Sequence, residues 1–150
     1  MKTLTFTYDQ IPESVNKLYS VRFGRKVLSA AGRKYKNAFL LKRGGIPEEK
    51  FLEFEAFPHE PYMLTLIFYL KKERLFNQTF GKDKRIKSPF AAIDTSNLIK
   101  LFEDCLSELT GIGDKNNFSV LSHKRESKNG DEYVFVNFGP LSLSDEVSTP

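Results

Sequence analysis

The chain has 150 residues, a single cysteine (Cys105), no tryptophan, two histidines and no long apolar run. Each shortage removes a class of protein. One cysteine excludes an internal disulfide framework and a multi-cysteine zinc site. No run reaches the ~18–20 apolar residues that span a bilayer, and the N-terminus lacks the apolar region of a signal peptide. The expectation is a cytoplasmic protein with no membrane partner. His59, in FPHEPY, and His123, in a strand-like stretch, have no nucleophile or second ligand at a telling spacing. Both read as structural or surface residues. No stretch resembles a nucleophile elbow, and GRKVLSAAGRK (24–34) lacks the spacing of a phosphate-binding P-loop.

What is present fits a soluble globular protein: 40% hydrophobic and 28% charged residues. The length suggests one domain, with roughly 70% of the unfolded surface buried on folding. Net charge is only +4, but residues 1–43 hold ten Lys and Arg against Asp9 and Glu13. Lys82, Lys84, Arg85 and Lys87 form a second basic cluster. Such patches attract polyanions and release counterions from nucleic acid. They also serve simply to solvate a surface.

Hydrophobic patterning gives the elements. LTFTY (4–8) alternates apolar and polar residues and reads as a strand. KLYSVRF (17–23) and KVLS (26–29) read as a hairpin about Gly24. A helix is expected over 29–41, with Ser29 as a possible N-cap and Gly44–Gly45 at its end. Residues 46–61 read as an irregular segment. PYMLTLIFYLK (61–71) is apolar almost throughout, which suggests a strand buried on both faces. Residues 72–92 read as a long loop, a length that is uncommon unless the loop is functional or disordered. A second helix is expected over about 94–109, its stripe formed by Leu98, Phe102, Cys105 and Leu109 with Leu101 and Leu106. Asp94, Thr95 or Ser96 can cap it, and Gly111 and Gly113 end it. FSVLSHKRES (118–127) and EYVFVNF (132–138) read as paired strands about an Asn129–Gly130 turn. Residues 139–150 are Ser-rich and read as a frayed tail. The order of elements defines an α+β domain.

The second helix carries polar residues beside its stripe. Asn97, Lys100 and Asp104 fall at i, i+3 and i+7 and share one face. Asp94 precedes the helix and Asp114 follows it. A hard cation takes oxygen ligands, often one or two carboxylates with water and phosphate oxygens. The two aspartates lie more than about 20 Å apart along a straight helix. They meet only if Asp94 swings out in its loop, if Asp114 returns alongside the helix, or if the two act across a dimer interface. A capping Asp, a solvated Lys and a loop Asp account for the same residues without a metal.

Two separated segments together resemble the RusA family of Holliday junction resolvases. In IPESVNKLYSVRFGRKVLSAAGRKYKNAF (11–39), the residues Pro12, Ser14, Val15, Asn16, Tyr19, Gly24, Arg25, Ser29, Gly32 and Tyr35 follow the family order. In DTSNLIKLFEDCLSELTGIGD (94–114), the pattern D-x-D-N-x-x-K-x-x-x-D-x-L is matched by Asp94, Asn97, Lys100, Asp104 and Leu106. Ser96 stands where the family has its second aspartate. The resemblance implies a RusA-like single domain over 1–138, a mixed sheet with two main helices, and an intertwined homodimer, with 139–150 as a flexible tail. It implies a Mg2+-dependent endonuclease that nicks four-way DNA junctions in recombination and repair, of the type carried by phages and prophages.

Position by position, the resemblance makes Asp94 and Asp114 the metal-binding carboxylates, with Ser96 reaching the ion through water. A register shifted by three residues puts Asn117 at the last metal position. Lys100 becomes the catalytic lysine that stabilises developing negative charge, beside a metal that polarises the phosphate and lowers the pKa of its water. Asn97 and Asp104 support them. Asn16, Lys17, Arg22, Arg25, Lys26, Arg33, Lys34, Lys84, Arg85 and Lys87 would track DNA phosphates. Two readings stand beside this one. The scaffold binds DNA with weakened or lost cleavage, as Ser96 invites, or it serves a phage or host as a regulatory module acting through protein contacts.

Overall fold

A computed structural model describes residues 2–141. It is an α+β arrangement with a mixed sheet. Strand β1 (Leu4–Tyr8) leads through a 3-10 turn (Val15–Lys17) to the hairpin strands β2 (Tyr19–Arg22) and β3 (Arg25–Leu28). Helix α1 (Ala30–Leu41), the short α2 (Glu48–Glu53), strand β4 (Tyr62–Leu70) and the one-turn α3 (Lys72–Leu75) follow. The chain closes with α4 (Thr95–Thr110), β5 (Asn117–Glu126) and β6 (Tyr133–Pro140). Among the described residues, no helix is long and apolar enough to cross a membrane.

The four main strands lie in the order β1–β6–β4–β5, and β2–β3 forms a separate two-stranded sheet. β4 pairs antiparallel with β6 and parallel with β5. The expected hairpin of 118–127 with 132–138 is therefore not a ladder: β4 lies between its two arms. Asn129–Gly130 is a local turn signal, but the long apolar β4 has two ladder edges to satisfy, and both neighbours come from this segment. The connection crosses the end of β4, where the Ser127 N–H donates to the Leu70 carbonyl at 2.8 Å.

β4 also corrects a second expectation, because only one of its faces is fully buried. Tyr62, Leu64, Leu66, Phe68 and Leu70 are buried, while Met63, Thr65, Ile67 and Tyr69 are half-buried. Leu4, Phe6 and Tyr8 of β1 and Val134, Val136 and Phe138 of β6 share the buried face. Against it pack α1 and α4. Phe102 is the hub: its ring lies 5.8 Å from Phe39, 5.9 Å from Phe68 and 6.2 Å from Tyr35, centroid to centroid. Burying a side chain of this kind contributes about 1.5–3 kcal/mol.

Two segments are more ordered than their composition suggests. Residues 46–61 include α2. The stretch 72–92 begins with α3 and closes on itself through a Phe76–Phe90 bridge, with the Asn77 amide donating to the carbonyls of Ser88 and Phe90. β6 continues to Pro140, so residues 139 and 140 are strand; the expected tail from 142 lies outside the described residues.

Candidate functional site

Three elements converge at the N-terminal end of α4. Asp94 is its N-cap, and its Oδ1 accepts from the Ser96 N–H at 2.9 Å and from the Ser96 hydroxyl at 2.5 Å. Those hydrogen bonds, helped by the charge of Lys26, hold the Asp94 carboxyl below the usual carboxylate range. The side chain is exposed and anionic at neutral pH.

Asn16, in the 3-10 turn, fixes the approach to the helix. Its amide donates to the Ala92 carbonyl at 2.8 Å, and its Oδ1 accepts from the Asp94 N–H at 3.0 Å. Asn97, buried one turn into α4, donates to the Val15 carbonyl at 3.4 Å and accepts from Lys26 Nζ at 3.2 Å. The turn, the hairpin and the helix are thus pinned together by two asparagines. Between them opens a shallow cleft of ≈ 300 Å³ lined by Asn16, Ala91, Ala92, Ile93, Asp94 and Asn97.

Tyr19 organises the cations. The ammonium groups of Lys26 and Lys100 each lie 5.6 Å from its ring centroid, where the negative face of the ring attracts them. Its hydroxyl donates to Asp104 Oδ2 at 3.2 Å. Burial, and then Asp104, push the phenol well above its ordinary range, so it stays protonated at any working pH. The helix face of Asn97, Lys100 and Asp104 therefore meets the hairpin. The pairing function of Tyr19 has no signature in the sequence, because Asp104 and Lys100 lie more than 80 residues away on another element.

The remaining carboxylate does not join this group. Asp114 starts a 3-10 turn beyond the other end of α4, and the 16 residues of the helix rise about 24 Å. Asn117 lies nearer than Asp114 but does not reach Asp94 either. Its amide donates to Glu103 Oε2 at 2.9 Å, nine residues and about 13 Å along the helix from Asp94. Among the described residues, no three His, Cys, Asp or Glu side chains gather as an ion site. Among the described residues, the two aspartates that the resemblance makes metal ligands are therefore not brought together. Asp94 supplies one charged oxygen ligand, and the Ser96 hydroxyl is already donated to it.

The other basic candidates do not line the cleft. Lys17, Arg22, Arg25 and Lys34 are exposed. Arg33 caps the carbonyl of Leu28 at 2.8 Å. In the 72–92 segment Lys84 and Lys87 are exposed, while Arg85 pairs with Asp83 at 2.9 Å. No protein-family model matches the chain, and no curated protein is similar to it.

Proposed function

We propose that this chain is a RusA-like scaffold that binds branched DNA, with four-way junctions as its preferred substrate and with cleavage weakened or lost. The observation that carries the reading is the double clamp of Asn16 on Asp94 and Lys26 on Asn97. It joins the two segments that bear the resemblance, about half the chain apart, into one surface. On that surface Lys26 and Lys100 offer ammonium groups to a phosphate, and Asn16 and Asn97 hold the backbone beneath them. Arg22, Arg25, Lys17 and Lys34 extend the positive charge outward. A homodimer would present two such surfaces about a two-fold axis, matching the near two-fold symmetry of a junction.

Weakened cleavage is proposed because Ser96 stands where the family has its second aspartate, and among the described residues Asp94 is the only carboxylate lining the cleft. The endonuclease reading has one specific support: Asp94 is exposed and ionised, open to a second carboxylate brought by another copy of the chain.

A synthetic four-way junction, incubated with and without Mg2+ and read separately for binding and nicking, tests both readings. Salt-sensitive binding that favours the junction, with little nicking in either condition, supports the binding scaffold. Strong Mg2+-dependent nicking that Asp94→Asn abolishes moves the endonuclease reading to the front. Weak, salt-insensitive binding that is equal for junction and duplex removes the nucleic-acid reading and favours protein contacts.

A further inference from the structure

The hairpin β2–β3 ends in an unusual turn. Its two central residues, Phe23 and Gly24, have φ of 51° and 75°, the left-handed pair of a type I′ turn. Asn, Asp and Gly fill the first position readily; a bulky aromatic there is a conformational outlier. The Phe23 side chain is fully exposed, and Val21 beside it is 72% exposed. Arg22 and Arg25 face each other directly across the two strands, a like-charge pairing that destabilises a hairpin. Among the described residues, neither guanidinium has a carboxylate partner. The hairpin thus holds a strained aromatic and two unneutralised cations at its free end. Its base is fixed, with the Ser29 N–H on the Leu18 carbonyl at 2.7 Å and Lys26 on Asn97.

Resting on the DNA reading above, we infer that Phe23 is a branch-point wedge: it stacks on an unstacked base at a DNA junction while Arg22 and Arg25 hold the phosphates on either side. The occupant follows from the chemistry. An aromatic ring between two guanidinium groups matches a base between its own flanking phosphates. Apolar side chains wedge between base steps at the cost of unstacking them, a cost already met where a branch interrupts the stack, and base–aromatic stacking is tolerant of sequence. A continuous duplex offers no such exposed face, so the wedge contributes to junction selectivity rather than to general affinity.

The test compares wild type, Phe23→Ala and Phe23→Asn on a four-way junction with 2-aminopurine at the branch and on a duplex of matching sequence. Asn suits a positive φ, so at least one variant keeps the turn, and melting temperature verifies the fold of each. The expected result is a wild-type change in branch fluorescence that both variants lose. Junction affinity falls by about 5- to 150-fold while duplex affinity is unchanged. Wild type that binds DNA, with variants unaffected or weakened equally on both substrates, overturns the wedge alone. Wild type that binds neither DNA overturns the wedge together with the DNA reading. A change of oligomeric state in the variants without DNA also overturns it, because Phe23 would then serve a protein contact.

Discussion

The Tyr19 hydroxyl donates to Asp104 Oδ2 at 3.2 Å, and the same ring carries Lys26 and Lys100 on its face. One side chain thus links a carboxylate of α4 to two cations, one on the hairpin and one on the helix. Tyr19→Phe removes only the hydrogen bond. It should lower stability by about 1–2 kcal/mol, read as a shifted midpoint in chemical denaturation, with DNA affinity nearly kept. Tyr19→Ala removes the platform as well and should weaken DNA binding further than Tyr19→Phe does. Equal affinity for the two variants would show that the ring does not position the lysines.

The same tyrosine sets a pH dependence. Its folded pKa is raised, as is that of Tyr35, through burial first, and burial pushes the Cys105 thiol up to about 12. A group whose folded pKa is raised contributes stability below its unfolded pKa and loses it as pH rises towards the folded value. Stability should therefore fall from about pH 8.5, the ordinary cysteine range, and more steeply above about pH 10, where unfolded tyrosine ionises. Denaturation midpoints at stepped pH measure this, and Tyr19→Phe should flatten the decline above pH 10. The buried thiol of Cys105 should react with a thiol reagent only under unfolding conditions.

Local features were legible in the sequence, and long-range pairings were not. The stripe of Leu98, Phe102 and Cys105, the Asp94 cap and the Gly111 end are written within one helix, and α4 runs as that pattern requires. The separation of Asp94 from Asp114 was also readable from the helix rise. Asn129–Gly130 misled because a turn residue states that the chain reverses, not which strand lies beside the arms. β4 took both places, and its own alternation of buried and half-buried residues was hidden by apolar side chains on both faces. The meeting of Asn16 with Asp94 was not legible, since no periodicity links positions 78 residues apart.

Gly32 marks where α1 approaches the turn before the hairpin. A Cβ there would lie 2.7 Å from the Leu18 carbonyl oxygen and 2.5 Å from Leu28 Cδ1. Leu28 can rotate away, but the Leu18 carbonyl is held by the Ser29 N–H. Gly32→Ala should therefore destabilise the fold by about 1–3 kcal/mol through overpacking, despite the better helix propensity of Ala. A thermal melt that rises instead would mean that the hairpin base yields easily. Hairpin displacement would in turn separate Lys26 from Asn97 and reduce DNA affinity.

Ser96 tests how far the site stands from a cation centre. Its hydroxyl donates to Asp94, so Ser96→Asp exchanges a donor for a second carboxylate two residues from the first. Mg2+ binding, measured by titration calorimetry, should rise from undetectable to measurable, because a second carboxylate adds a charged oxygen ligand for a hard cation. Junction affinity without Mg2+ should fall, since new negative charge faces the phosphates. If neither quantity moves, residue 96 lies outside the functional surface. If wild type already binds Mg2+ tightly, one carboxylate suffices and the argument from ligand count is wrong.

The salt dependence of binding counts the phosphate contacts. Each phosphate neutralised on duplex DNA adds about −0.9 to the slope of log K against log salt. Two copies of the chain, each using several of Lys17, Arg22, Arg25, Lys26, Arg33, Lys34, Lys84 and Lys87, should engage on the order of 6–10 phosphates, which lowers affinity by about 10³–10⁵ between 50 and 200 mM salt. Arg85 contributes less, because Asp83 already neutralises it in the free protein. Arg25→Gln with Lys26→Gln should flatten the slope by about one unit for each lost contact, whereas Arg85→Gln should leave it nearly unchanged. The preference for a junction over a duplex should survive in the Arg25/Lys26 double variant if it arises from the spacing of two half-sites and the Phe23 tip rather than from total charge. Junction and duplex constants across one salt series, for wild type and these variants, separate the two origins. Parallel loss of slope and selectivity would assign both to electrostatics alone.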